Sequence, residues 1–101
     1  MDGIKMTNKE LIQYLVDHND YKYNLLKAAE ELQELSLVLT QMTLKKEKVD
    51  IQEVIDEIGD VKIRLKVLSH FFNNKKIKQR IQYKLDKLKS YVAENKYIGK
   101  L

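Results

Sequence analysis

No proline occurs anywhere in the 101 residues of this chain, and only three glycines do, so almost nothing forces the backbone to break a helix or to turn tightly. Leu, Lys, Glu, Ile and Val dominate, which favours long helices over a turn-rich sheet. Apolar residues then recur at helical spacing in four runs. Leu11, Ile12, Leu15 and Val16 follow a capping box of Thr7 and Glu10 and predict a short helix ending at Asp17. HNDYKY at 18–23 is a turn or the opening of a second helix from about Tyr21 to Leu44, striped by Leu25, Ala28, Ala29, Leu32, Leu35, Leu39 and Met42. KKEK at 45–48 reads as a charged loop, and Asp50 with Glu53 forms a second cap-and-return pair. A third stripe, Ile51, Val54, Ile55, Ile58, Val61, Leu65, Leu68 and Phe72, runs to a stop near Asn73 and Asn74. Ile77, Ile81, Leu85, Leu88 and Val92 mark one face of a last helix before a fraying NKYIGKL tail. The expected fold is all-α, an antiparallel four-helix bundle forming one domain over 1–101, with residues 1–6 and 96–101 as frayed ends.

Without cysteine there is no disulfide framework and no thiolate metal site. The ends carry no signal peptide or lipidation motif and no apolar run approaches bilayer length, so a cytoplasmic protein without a membrane partner is expected. The formal charge of +4 divides unevenly: residues 1–72 carry −3 and residues 73–101 carry +7. That basic segment suits nucleic acid, a phosphorylated small molecule, or the acidic remainder of the same protein.

The acidic residues hold a repeat. EELQEL at 30–35 and DEIGDV at 56–61 carry one pattern on two helices. Measured at about 100° per residue from Leu32 or Ile58, Glu31 and Glu57 fall at roughly −100°, and Glu34 and Asp60 at roughly −160°. Two packed helices carrying such pairs converge four carboxylates on one patch, where cations must offset the repulsion and where all-oxygen ligation suits a hard ion such as Mg²⁺. With 34% charged residues, acidic pairs three apart also arise on plain solvated faces. Two details favour a site. Gly59, inside a helix at a cost of about 1 kcal/mol relative to alanine, suggests a close approach of ligand or backbone. The offset of 26 residues between the copies leaves room for a helix, a loop and a return.

Glu30-Glu31-x-x-Glu34, followed after 22 residues by Glu57-x-x-Asp60, resembles the EExxE…ExxD signature of the MazG-like, all-α nucleoside triphosphate pyrophosphohydrolases. LLKAAEELQEL and DEIGDVKIRL resemble the segments around the two halves of that signature, and KIKQRIQYKLDKLKSYV is similar, more loosely, to the lysine-rich last helix of the short members found in phages and their Gram-positive hosts. The similarity runs from about residue 20 to 93. It implies Mg²⁺-dependent cleavage of an NTP or dNTP between the α and β phosphates, giving the monophosphate and pyrophosphate. Carried over, Glu31, Glu34, Glu57 and Asp60 are the catalytic metal ligands, with Mn²⁺ able to stand in for Mg²⁺. Hydroxide for in-line attack would come from metal-bound water.

Around that set, Glu30 is either an outer partner of the ligands or solvated, and Glu53 is assigned to the cap. Lys27 could reach phosphate, though an i, i+4 pair with Glu31 explains it equally well. Lys84 and Lys87 match basic positions of the family's last helix and would clamp phosphate, among nine basic residues there. Of Tyr14, Tyr21, Tyr23, Phe71 and Phe72, the better walls for a base are Tyr21 and Tyr23. His18 and His70 lack the Glu-x-x-His spacing of di-iron bundles and read as surface or helix-end residues. A homodimer or homotetramer is expected, because helices this long need another subunit to bury their stripes. The alternatives are a nucleic-acid-binding helical module using the basic last helix, which lacks any known recognition motif, and an inactive structural relative.

Overall fold

The computed structural model describes residues 5–44 and 49–94. The KKEK loop and the expected fraying at residues 1–4 and 95–101 lie outside the described residues. Four helices occur and no strand is found among the described residues: α1 (Asn8–His18), α2 (Tyr21–Leu44), α3 (Ile51–Leu68) and α4 (Asn74–Ala93). They fall into two compact units divided between Phe71 and Phe72, α1 to α3 in the first and α4 in the second.

The helix starts follow from their caps. Thr7 Oγ1 accepts from the Glu10 amide at 3.1 Å and the Glu10 carboxylate accepts from the Thr7 amide at 3.1 Å, closing the expected box. That bond with the Thr7 backbone also holds the Glu10 carboxyl below its ordinary value. Asp50 caps α3 through the Gln52 amide at 2.9 Å, so the cap bond falls on Gln52 and not on the expected Glu53. Asn73 caps α4 through the Lys76 amide at 3.1 Å. α3 stops at Leu68, short of the expected end: Ser69 returns both its amide and its hydroxyl to the last turn, which leaves Phe72 beyond the helix and exposed.

Within the first unit α3 packs on both α2 and α1. Arg64 acts on Lys27, Asp60 on Glu31 and Glu34 on Glu57, in keeping with two packed helices joined by a short connection and running antiparallel. Asn24, Ala28, Glu31, Leu35 and Val38 of α2 are buried or half-buried, as are Val54, Glu57, Val61, Arg64 and Leu68 of α3. Both sets alternate steps of three and four, which is the seam of a coiled-coil-like contact. Asn24 closes its α1 end, donating from Nδ2 to the Leu15 carbonyl at 3.3 Å, one of the carbonyls that α1 leaves unpaired at its C-terminus.

This seam is not the stripe that hydrophobicity alone marks. Leu32 is 46% exposed and Ile58 40% exposed, although both were the expected stripe centres. The buried apolar side chains, Ala28, Val38, Val61 and Val67, are small or β-branched. Leu39, Met42, Ile51, Ile55 and Leu65 remain exposed on the neighbouring faces.

A Cβ built on Gly59 meets no atom within 4 Å, so no described part of this chain makes the close approach that a helical glycine suggests. Gly59→Ala should therefore stabilise the fold by about 1 kcal/mol through helix propensity and unfolded-state entropy. Urea unfolding measures this, and a loss of stability instead would place another molecule against that position.

Candidate functional site

The seam carries charge at its middle. One turn of α2 presents Glu31 and Glu34, and one turn of α3 presents Glu57 and Asp60, because each pair is spaced i, i+3 on helices that run antiparallel. Ligand oxygens of Glu31, Glu57 and Asp60 all lie within 4.8 Å of one another. Three carboxylate oxygens this near one another could share one hard cation. Glu34 stands outside this trio, but its charge acts on both Glu31 and Glu57. Glu31 and Glu57 are half-buried, and Asp60 and Glu34 are exposed, so the cluster has an inner and an outer side.

Two of these carboxylates are poorly served by protein. Glu31 Oε2 and Glu57 Oε2 are shielded from solvent and have no hydrogen-bond partner among the described residues, whereas most buried acceptors pair with protein or ordered water; the Glu57 carboxyl does keep a side-chain contact with Glu34. Desolvation pushes the Glu31 carboxyl above its ordinary 4.5; Glu34, Asp60 and Glu30 add like-charge repulsion, and Arg64 opposes them. Desolvation likewise raises Glu57, reinforced by Glu34, Asp60 and Glu31. The donor set, all carboxylate oxygen with two unpartnered atoms, fits a hard divalent ion.

The other residues singled out in the sequence are distributed as follows. Lys27 pairs with Glu30 at 3.3 Å, not with Glu31, and that bond raises its pKa. Glu30 is thereby fixed on the exposed side as a partner of Lys27. Tyr21 packs edge-on against Phe71, with centroids 5.2 Å apart, and its ring stays half exposed. Tyr23 is exposed one turn before Lys27. Tyr14 stacks on His18, which ends α1, at 3.9 Å, and His70 is exposed in the turn after α3. Lys84 and Lys87 belong to α4, where Lys84 is half-buried and Lys87 lies over the Tyr91 ring at 5.9 Å.

Sequence reasoning missed Arg64. It is half-buried on the α3 seam, its charge acts on Glu31 and on Lys27, and its Nη1 is shielded from solvent without an acceptor. Its spacing of four from Asp60 and seven from Glu57 put it on their face, but flanking Lys62 and Lys66 disguised it as part of a solvated basic run.

The chain matches no family model, and no curated protein or solved structure matches it significantly.

The raised carboxyls set a pH dependence. The folded chain holds these protons more tightly than the unfolded chain does, so stability is lost as pH rises from 4.5 through the raised values. Glu31→Gln and Glu57→Gln should therefore raise the Tm of the metal-free protein at neutral pH, and the gain should vanish in acid below that window. Thermal melts of both variants at several pH values check this; a neutral-pH loss would show that the carboxylates hold the helices together.

Proposed function

We propose that this chain is a MazG-like nucleoside triphosphate pyrophosphohydrolase that uses Mg²⁺ to cleave the α–β phosphoanhydride of an NTP or dNTP. The observation that carries the reading is the convergence of Glu31, Glu57 and Asp60 from two helices, with one oxygen each of Glu31 and Glu57 shielded from solvent and unpartnered among the described residues. It is supported by the acidic signature these residues share with that family.

Glu31, Glu34, Glu57 and Asp60 would hold the metal, with Glu31 and Glu57 on the inner side and Asp60 and Glu34 facing the substrate. Bound Mg²⁺ supplies charge neutralisation of the triphosphate and a water acidic enough to give hydroxide near neutral pH. The carboxylates position that chemistry by fixing ligand geometry on rigid helices. Lys27, tethered beside the cluster by Glu30, is placed to meet phosphate, and the exposed ring of Tyr23 one turn away offers a surface for a base. The family resemblance alone adds Lys84 and Lys87 as phosphate contacts.

The active form is a homo-oligomer built as a helical bundle, with a second copy covering the stripes that one copy leaves open. Leu32, Leu39 and Met42 on α2, and Ile51, Ile55, Ile58 and Leu65 on α3, form continuous exposed faces beside a seam with few buried apolar side chains. Light scattering across a concentration series should give a dimer or tetramer; a monomer at micromolar concentration would remove this part of the proposal.

Pyrophosphate release from a panel of canonical and modified NTPs and dNTPs, with Mg²⁺ and with EDTA, tests the reaction. Magnesium-dependent release with the matching monophosphate is expected. Glu31→Ala or Glu57→Ala should abolish it while circular dichroism stays helical. Unchanged turnover in either variant would defeat the site. No release from any nucleotide, together with salt-sensitive DNA binding indifferent to Mg²⁺, would favour a binding module built on the lysine-rich α4.

A further inference from the structure

The acidic cluster has a cationic neighbour that the ligand set does not use. Along the antiparallel seam, Glu34 is matched with Glu57, Glu31 with Asp60, and Lys27 with Arg64. Two acidic levels are thus followed, one helical turn on, by a level carrying two positive charges. Two like charges on facing helices repel one another, so the pair asks for a counter-charge. Arg64 is the less explained of the two. Lys27 has Glu30 at 3.3 Å, whereas Arg64 Nη1 is shielded from water and, among the described residues, has no acceptor and no ion pair, although its charge acts on Glu31. A guanidinium is weakly hydrated and presents forked donors that match phosphate oxygens.

We infer that Arg64 is a polyphosphate-binding residue, forming with Lys27 an anion subsite next to the metal ligands. The inference rests on the proposed hydrolase reading and deepens it: the phosphate oxygens that the metal does not hold fall at the Lys27–Arg64 end of the seam. Arg64 then serves two states. In the empty site its charge offsets Glu31. With cations on the carboxylates, its donors are released for the anion.

The competing role is structural, with Arg64 acting only as counter-charge to the cluster, and the two roles differ in what binds. Calorimetric titration of the full chain with Mg²⁺ alone, and with inorganic tripolyphosphate in the presence of Mg²⁺, separates them in wild type, Arg64→Gln and Arg64→Lys. Expected is a loss of tripolyphosphate affinity of about tenfold or more in Arg64→Gln, the scale of one charged hydrogen bond. Affinity for Mg²⁺ alone should be unchanged or tighter, because a repelling charge has gone. Arg64→Lys keeps the charge and most of the stem, and it carries the comparison should the glutamine variant unfold; it should fall between the two. Tripolyphosphate affinity in Arg64→Gln within about twofold of wild type overturns the inference, as does an equal loss of Mg²⁺ and tripolyphosphate binding. Wild type that binds tripolyphosphate yet releases pyrophosphate from no nucleotide would defeat the hydrolase reading and leave Arg64's role standing. Wild type that does not bind tripolyphosphate defeats this inference outright.

Discussion

Like-charge repulsion across the α2–α3 contact is the constraint around which the first unit is arranged. Glu31, Glu57 and Asp60 are held within reach of one another, with Glu34 close enough to raise the proton affinity of two of the others. Such a contact survives in isolation only because apolar packing flanks it. Ala28 and Val38 on α2, and Val61 and Val67 on α3, are the buried side chains that bring the helices together on either side of the charge. Packing and charge therefore compete for the same surface.

That competition explains what could be read from the residues and what could not. The caps at Thr7 and Asp50 are local chemistry, and the limits of α2 at Tyr21 and Leu44 follow from the break at Asn19 and Asp20 and the end of the apolar run. The orientation of each helix about its axis is a tertiary matter. Summed hydrophobicity points to Leu32 and Ile58, yet the chain packs on a face a fraction of a turn away, where alanine and valine are buried and where the acidic residues also lie. A helix with two adjacent apolar seams gives one averaged stripe in the sequence, so the carboxylates were expected beside the core and are found within the contact. Arg64 escaped notice for the related reason that its burial depends on that rotation.

Charge sign divides the first unit's seam without any change of fold. Carboxylates gather at Glu31, Glu57 and Asp60, and Lys27 with Arg64 lies further along the same two helices. Rigid helices, not loops, set these positions, which suits chemistry in which placement of charge does most of the work.

The antiparallel register also limits how this gene can change length. Each carboxylate pair keeps its partner only while both helices hold their phase, and one residue gained or lost between Glu31 and the end of α2, or between the start of α3 and Glu57, would swing a pair by about 100° and shift it by about 1.5 Å. Insertions and deletions within those stretches would separate the paired carboxylates. Length variation should therefore fall outside them, and a gap inside either stretch would mark a chain in which the four acidic residues no longer meet.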